Sequence, residues 1–421
     1  MGARHRGPIG GTIHFVKTEY ELVPLDDIVD ARERLEGVAV KTPLDPSRSL
    51  SELVGGDVYV KCENLQRTGS FKIRGAYNRI SRLNERERAA GVVAASAGNH
   101  AQGVALGATL SKVSSRVFMP EDASLPKVEA TKRYGADVVL TGKDFGAAFA
   151  AAVEFSDRSG ATFVHPFDHH DVIAGQGTIG LEIDESVGEI GTVVVPVGGG
   201  GLVSGIAAAI KQKRPSVRVV GVQAAGAAAF PPSLEKGEPV ALEDMSTIAD
   251  GIAANRPGAL TLAHVAAYVD EIVCVSDDAI AEALVFAAER MKLVLEPAGA
   301  AGVAAALQGM GSLEPPVVVT LSGGNIDPLL LQRVIRFGLS SSGRYFAFRT
   351  RLRDRPGALY KLLGLLAETG ANVVGVEHHR EGVSVHLGEV EVALQVETRG
   401  REHIEQVVGR LAASGYVVER L

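Results

Sequence analysis

The sequence predicts an α/β protein with parallel sheets covered by helices, followed by a smaller unit of different strand order. Short valine-rich runs recur from Val58 onward, and such continuous apolar runs are typical of strands buried on both faces. Helical patterns separate these runs, which favours parallel sheets. Beyond about residue 338 the polar and apolar residues alternate instead, which indicates strands with one solvated face.

The first series of predicted strands opens with VYVKCE (58–63), and helices are predicted after Ser70, after Gly98 and over 145–156. The other strands of this series are GVVAAS (91–96), RVFMP (116–120), DVVLTG (137–142), TFVHPF (162–167), TVVVPV (192–197), VRVVGVQ (217–223), EIVCV (271–275) and PVVVTLSGG (316–324).

The second series follows FGLSSSGR (337–344), whose small polar residues predict a linker over 337–343. Its elements are the strand YFAFRTRLRD, the helix PGALYKLLGLLAETG, the strands ANVVGVEHH and EVEVALQVE, the helix REHIEQVVGRLAASG and the strand YVVERL. The order β-α-β-β-α-β is that of a ferredoxin-like unit. We therefore predict a loose leader over 1–20, a first unit over 21–336 and a second domain over 344–421.

Composition excludes several classes of function. The 421 residues are 46% hydrophobic, which excludes a mainly disordered chain. Lys and Arg number 43 against 50 Asp and Glu, so no basic excess exists to hold nucleic acid. Cys62 and Cys274 lie far apart, without the spacing of a disulfide framework or a structural zinc site. No metal site is predicted, and a reducing compartment fits this cysteine usage.

No membrane segment is predicted, although the stretch 192–210 carries no charge and is long enough to span a bilayer as a helix. Pro196 and four consecutive glycines at 198–201 divide this stretch into a strand, a loop and a helix start. The N-terminal MGARHRGPIGG lacks the apolar stretch of a signal peptide. We therefore expect a cytoplasmic protein.

SFKIRGA (70–76) places Lys72 near a helix start, between Phe71 and Ile73. Desolvation and the field of the helix N-terminus both favour the neutral amine that a Schiff base requires. The alternative is an ordinary surface lysine whose stem lies on apolar neighbours.

SAGNH (96–100) lies at a strand-to-helix junction, where free N–H groups bind carboxylates or phosphates. Gly98 permits a close approach of such a ligand. A capped helix start without a ligand is the alternative.

The run Gly198, Gly199, Gly200, Gly201 and Leu202 lies between a buried strand and a helix. Consecutive glycine N–H groups can surround phosphate oxygens. The run is neither GxGxxG nor GxxxxGK[ST], so a dinucleotide or a nucleoside triphosphate is not favoured. A flexible linker is the alternative.

In this order and spacing the three segments resemble the threonine dehydratase family, of the fold-type-II (tryptophan-synthase-β-like) class of pyridoxal-phosphate enzymes. EPAGAAG, LSGGNID, HHDVIAGQGTIGLEI (169–183) and ADGIAANRPG (249–258) extend the resemblance over about residues 40–335. The second domain, with RDRPGAL at 353–359, is similar to an ACT regulatory domain. This combination resembles the medium-length form of the family, and implies a smaller subdomain at about 65–160 inserted in a larger one.

The resemblance implies roles for individual residues. Lys72 would bind pyridoxal 5'-phosphate as a Schiff base and remove the substrate α-proton. Phe71 would pack beside the cofactor ring, Asn99 would bond its 3-hydroxyl and Ser322 would face its nitrogen. The residues implied to hold the phosphate are Gly198, Gly199, Gly200, Gly201 and Leu202, and those implied to hold the substrate carboxylate are Ser96, Gly98, Asn99 and His100.

The implied activity is loss of water from L-threonine, giving 2-oxobutanoate and ammonium as a first step toward isoleucine, with L-serine as a weaker substrate. A homodimer or homotetramer is expected. The alternatives are a serine dehydratase, a racemase, a catabolic threonine dehydratase or a threonine synthase of the same fold. From another class, a non-catalytic amino-acid sensor is the alternative.

A loop in the second domain leads into the predicted helix, so its N–H groups suit an amino-acid carboxylate. This loop consists of Asp354, Arg355, Pro356, Gly357 and Ala358. We expect isoleucine or valine to bind there as an effector, or else the domain to serve only assembly.

One residue departs from the pattern of some relatives. Gln223 stands where serine racemases carry a metal-binding glutamate. Bound Mg²⁺ is therefore not expected, and a monovalent cation held by carbonyl groups is the alternative.

Overall fold

The computed structural model describes residues 20–380 and 386–421. They fall into two compact units that meet in sequence at Asp327 and Pro328. The predicted leader at 1–20 lies outside the described residues except for Tyr20. Both units mix helices with sheets, so the predicted α/β class is confirmed.

Three strands of the first unit are fully buried, valine-rich runs, and all of its strands are short. They are β1 (Leu44–Pro46), β2 (Val58–Lys61), β3 (Val92–Ala95), β4 (Ser115–Met119), β5 (Asp137–Leu140), β6 (Thr162–Phe163), β7 (Thr192–Pro196), β8 (Arg218–Ala224), β9 (Glu271–Val275) and β10 (Val317–Thr320).

These strands form two separate sheets. The larger has the order β1-β2-β10-β7-β8-β9 and is parallel except for β1, which pairs antiparallel with β2. The smaller has the order β5-β4-β3-β6 and is parallel throughout. Because β3 to β6 all lie between β2 and β7 in sequence, the smaller sheet is an insertion in the larger one.

The predicted strands are all present, with two differences. β1 was not predicted, since its three residues Leu-Asp-Pro carry no apolar run. The predicted strand TFVHPF is reduced to Thr162–Phe163. Pro166, which has no N–H to donate to a ladder, lies three residues beyond its end.

Helices cover both sheets, and they are α1 (Leu25–Arg34), α2 (Arg48–Val54), α3 (Lys72–Ser81), α4 (Glu85–Ala90), α5 (Asn99–Leu110), α6 (Leu125–Arg133), α7 (Phe145–Ser159), α8 (His170–Ser186), α9 (Gly201–Lys213), α10 (Phe230–Lys236), α11 (Ala259–Tyr268), α12 (Asp277–Phe286) and α13 (Pro297–Leu307). Among the described residues, no helix combines the length and the apolar character needed to cross a membrane.

Glycines let helices α3, α8 and α9 approach closely. A Cβ on Gly175 of α8 would lie 2.7 Å from the carbonyl oxygen of Arg74 in α3. A Cβ on Gly205 of α9 would lie 2.4 Å from the carbonyl oxygen of Ile173 in α8. Both contacts are too short for a side chain, so part of the glycine content serves the packing of these helices.

Four charged side chains are buried together under the start of α3, and we call them the buried ion cluster: Lys61, Glu63, Arg74 and Glu182. Arg74 donates to both Glu63 oxygens at 2.8 and 2.9 Å and to Glu182 at 2.6 Å. Lys61 donates to the second oxygen of Glu182 at 2.5 Å. Burial opposes ionisation of Glu63, but Arg74 outweighs it and holds the pKa of that carboxyl below its usual value.

The second unit contains α14 (Pro328–Ser341), β11 (Tyr345–Arg353), α15 (Ala358–Thr369), β12 (Asn372–His379), β13 (Glu389–Glu397), α16 (Arg401–Ala413) and β14 (Glu419–Arg420). The antiparallel sheet has the order β12-β13-β11-β14. Alternate residues of β11 and β13 face a core shared with α15 and α16. The predicted ferredoxin-like order is confirmed.

The first five residues of the predicted linker 337–343 are helical, because α14 continues to Ser341. Val334 and Gly338 are buried four residues apart, so the helical period extends into the small polar residues. The helix ends before Gly343, whose φ of +70° lies in the left-handed region that favours glycine.

Replacing Arg74 should destabilise the first unit. Arg74→Met keeps most of the side-chain length but leaves Glu63 buried without its guanidinium partner, and unpaired buried charges cost about 3–5 kcal/mol. Urea denaturation followed by circular dichroism measures the loss. The control is Arg48→Met, since Arg48 pairs with Glu52 at the surface and exposed pairs contribute little. Equal midpoints for the two variants would contradict the assigned importance of the cluster.

Candidate active site

Lys72 is the first residue of α3 and is partly buried. Its Nζ donates to the carbonyl oxygen of Pro166 at 2.9 Å and lies 5.1 Å from the centre of the Phe71 ring. Burial lowers the pKa of Lys72 to about 8, although the carboxyl of Glu296 acts in the opposite direction. At this pKa about a tenth of the amine is neutral at pH 7, and the neutral form is the one that acts as a nucleophile.

The segment that follows β10 holds the residues just before Lys72. The Phe71 N–H donates to the carbonyl oxygen of Ser322 at 3.2 Å. Ser70 forms an antiparallel bridge with Gly323, and the Gly324 N–H donates to the Gly69 carbonyl at 2.9 Å. The structure therefore brings buried Ser322 beside the lysine segment, although Ser322 and Lys72 are far apart in sequence.

Asn99 begins α5 and is held by two side chains from distant segments. Its Nδ2 donates to Glu296 Oε1 at 2.7 Å, and its Oδ1 accepts from Asn325 Nδ2 at 2.7 Å. Asn325 also donates to the Thr68 carbonyl at 2.6 Å. These contacts hold the side-chain amide of Asn99 close to the segment that precedes Lys72.

Glu296 is a site residue that the sequence analysis did not identify. It is buried at the start of α13, and its Oε1 would lie 2.3 Å from a Cβ on Gly323. Burial raises the pKa of Glu296 to about 7, Asp250 adds to this, and the Asn99 hydrogen bond and the amine of Lys72 oppose it. The sequence signal that could have identified Glu296 is a single carboxylate directly before Pro297 and an entirely apolar helix.

Ser96, Gly98 and His100 lie together where β3 leads into α5. Ser96 Oγ accepts from the Gly98 N–H at 3.1 Å, and the space beside Gly98 is open. The His100 ring is bonded to the Val164 carbonyl at 2.8 Å, and burial lowers the pKa of His100 to about 3. Its imidazole is therefore neutral, and because its one ring N–H is used by the Val164 carbonyl, the ring has no donor left for the predicted carboxylate contact.

The glycine loop, residues 198–201, joins β7 to α9 and has no room for side chains. A Cβ on Gly199 would lie 2.3 Å from the Phe167 ring, and one on Gly198 would lie 2.9 Å from the backbone of Ile252. Gly200 has a φ of +99°. Leu202 is buried in the core, so it offers the loop only its backbone. The first N–H groups of α9 and this bare loop form a cradle suited to a phosphate.

Gln223 is used within its own segment. Its Nε2 donates to the Ala227 carbonyl at 3.3 Å, and its Oε1 accepts from the Phe230 N–H at 3.0 Å. Within the part of the chain that the structure describes, no group of three His, Cys, Asp or Glu side chains is placed to hold a metal ion.

The loop at 354–358 lies in the second unit, at the start of α15. The Asp354 N–H donates to the Gly388 carbonyl at 2.9 Å. Gly357 has a φ of +84° and open space on its Cβ side. The N-terminus of α15 is therefore accessible at this loop.

Comparison with known families matches both units. Residues 35–323 match the family described as pyridoxal-phosphate dependent enzyme, and residues 347–413 match the ACT domain. A Thermotoga maritima protein named L-threonine ammonia-lyase is 48% identical over 397 residues, which cover 94% of this chain and 99% of that protein.

Two solved structures are similar in fold to about three quarters of this chain. The processed form of threonine deaminase isoform 2 from Solanum lycopersicum has a TM-score of 0.71 at 38% identity, covering 74% of this chain and 87% of that one. Maize serine racemase also has a TM-score of 0.71, at 35% identity, covering 76% of this chain and 99% of that one.

The raised pKa of Glu296 predicts a pH-dependent stability. Its native pKa of about 7 exceeds the ordinary 4.5, so its contribution is fully present below pH 4.5 and is lost as the pH rises through 7. For the cofactor-free protein, the free energy of unfolding should therefore fall by on the order of 2 kcal/mol between about pH 5 and about pH 8 because of this group.

Glu296→Gln should remove this component, while the control Glu129→Gln, at an exposed residue of α6, should keep it. Urea denaturation at a series of pH values measures both. Parallel curves for the wild type and Glu296→Gln would contradict the assignment.

Proposed function

This chain belongs to the pyridoxal-phosphate-dependent enzyme family and carries an ACT domain, and from this premise we propose that it is an L-threonine ammonia-lyase. The proposed reaction removes water from L-threonine to give an enamine, whose hydrolysis yields 2-oxobutanoate and ammonium. The relative named for this activity covers both units of the chain at 48% identity. L-serine, which differs from threonine by one methyl group, is proposed as a second substrate.

The observation that carries the proposal is a lysine with a lowered pKa directly after Phe71, whose N–H is bonded to the Ser322 carbonyl. The described residues fit the cofactor: the side-chain-free glycine loop suits its phosphate, and the oriented amide of Asn99 suits a ring hydroxyl. When bound, pyridoxal phosphate withdraws electrons from the substrate α-carbon. The chain's own contribution is a partly neutral Lys72 Nζ that accepts the α-proton.

Ser322 supports elimination over other reactions of the same cofactor. A serine hydroxyl, unlike a carboxylate, does not stabilise a protonated ring nitrogen. Electron density on the substrate is then delocalised less fully into the ring, which favours prompt loss of the β-hydroxyl over transamination.

A serine racemase or serine dehydratase is the second candidate, favoured by the likeness to maize serine racemase. Parallel assays of ammonium release from L-threonine and from L-serine, and of D-serine formation from L-serine, separate the candidates. A non-catalytic sensor is disfavoured because Lys72, Ser322 and the glycine loop are all present.

We also propose the setting of this reaction. The ACT domain supports control by an amino acid, with isoleucine or valine as the effector at the loop 354–358. Such control suits a first step toward isoleucine, carried out in the cytoplasm by a homodimer or homotetramer.

Lys72→Ala should abolish formation of 2-oxobutanoate from L-threonine, because no amine remains at the start of α3 to bind the cofactor covalently. The absorbance of the bound cofactor should be lost with it, while the circular dichroism spectrum stays unchanged. Lys236→Ala, at an exposed lysine of α10, is the control and should retain full activity. Substantial ammonium release by Lys72→Ala would refute the assigned role.

Gly357→Glu should abolish inhibition by isoleucine, since it places a carboxylate in the open space where the effector carboxylate is proposed to bind. Gly415→Glu is the matched control, because Gly415 has a φ of +87° and is equally open. Initial rates with L-threonine, measured with and without isoleucine, test the proposal. Inhibition retained in Gly357→Glu, or lost equally in both variants, would place the effector site elsewhere.

A further inference from the structure

Residues 165–169, between β6 and α8, touch both halves of the site, and we call them the linking segment. We propose that Asp168 of this segment is a positioning residue which, through Thr261, fixes the glycine loop relative to the Lys72 amine. The inference concerns cofactor binding, so it does not depend on which substrate the enzyme uses.

The residues just before Asp168 contact Lys72 and the glycine loop directly. The Pro166 carbonyl accepts from Lys72 Nζ at 2.9 Å. The neighbouring Phe167 ring fills the space beside Gly199, and its Cβ would lie 2.8 Å from a Cβ on Gly201. Two consecutive residues of the linking segment therefore contact the amine on one side and the glycine loop on the other.

The carboxylate of Asp168 is fully engaged at the start of α11. Its Oδ1 accepts from the N–H groups of Leu260 and Thr261 at 3.0 and 3.1 Å, and its Oδ2 accepts from Ala259 at 3.1 Å. A Cβ on Gly258 would lie 2.1 Å from this carboxylate. The carboxylate thus satisfies three N–H groups that a helix start leaves without partners, and its charge is favoured there.

Thr261 carries this constraint to the glycine loop. Its side chain is buried, and its hydroxyl donates to the Gly199 carbonyl at 2.7 Å. Its Cβ would lie 2.8 Å from a Cβ on Gly200. The loop has no side chains of its own. The hydrogen bond from the Thr261 hydroxyl therefore orients the peptide group that contains the Gly199 carbonyl.

His165 holds the linking segment in its bent shape. Its Nδ1 accepts from the Asp168 N–H at 2.7 Å, and its ring meets Phe167 edge to face with centroids 4.6 Å apart. Burial lowers the pKa of His165 to about 4, so this nitrogen stays an acceptor at neutral pH. The Asp168 N–H therefore keeps this hydrogen-bond acceptor at neutral pH.

A purely structural helix cap is the competing explanation for Asp168. Asp144 provides a comparison, because its side chain caps α7 by accepting from the Ala147 N–H at 2.9 Å. No contact with the glycine loop follows from that cap. Asp168 differs from Asp144 because it accepts from Thr261, whose hydroxyl in turn donates to the Gly199 carbonyl of the glycine loop.

The decisive experiment compares two probes on cofactor-free protein: pyridoxal phosphate and pyridoxal, which lacks the phosphate. Thr261→Val keeps the shape but removes the hydroxyl, so it should weaken pyridoxal phosphate binding about tenfold and change pyridoxal binding less than about twofold. Thr261→Ser keeps the hydroxyl and should restore the affinity. Equilibrium dialysis gives the dissociation constants, and thermal melting checks the fold.

Asp168→Asn replaces one carboxylate oxygen by an NH₂ group that faces the Ala259 N–H. This should shift the linking segment, including Pro166 and with it Lys72, in addition to the glycine loop. Binding of both probes should therefore weaken. Asp144→Asn is the control and should bind both probes as the wild type does. Should Asp168→Asn fail to fold, the Thr261 variants still decide. Equal losses for the two probes in Thr261→Val, or no loss for either, would overturn the inference.

No substrate is present in these measurements. A wild-type protein that binds pyridoxal phosphate but releases no ammonium from L-threonine would therefore refute the proposed function and leave this inference standing.

Discussion

The pairing of Arg74 with Glu63 and Glu182 is the interaction on which the site depends most. It joins α3 to α8 and to the segment after β2, and it lies two residues from Lys72. Burying charges is expensive, and only close pairing with further hydrogen bonds offsets the cost. Here Thr42 donates to Glu63 and Lys61 to Glu182, so the cluster is well satisfied and α3 has one preferred position.

Given that position, the site consists of segments that meet only in the folded chain. Asn99 belongs to the part of the chain that forms the inserted sheet, whereas Glu296 and Asn325 belong to the part around the larger one, and direct hydrogen bonds join them. Nearby, Lys127 of α6 pairs with Asp250 at 2.7 Å. Polar contacts thus tie the inserted subdomain to the larger one close to the lysine.

The strands were predictable because valine runs buried on both faces are distinctive, as β7 and β10 show. Lys72 and the glycine loop were found because a local motif marks each of them. Glu296, Asp168 and Thr261 were not found, since their importance comes from partners tens to hundreds of residues away. The helical continuation of α14 through residues 337–341 was not predicted, because these residues have a loop-like composition and yet continue the period of the helix.

The glycine loop has a consequence for how the site responds to acidity. Backbone amides do not ionise between pH 4 and 10, and the loop itself contributes no titratable side chain. Its attraction for a phosphate therefore follows only the second ionisation of the phosphate itself, near pH 6. In the proposed function, anchoring of the cofactor phosphate and proton transfer at Lys72 would therefore follow separate equilibria, and a change in pH that alters the charge of Lys72 would leave the backbone amides of the loop unchanged.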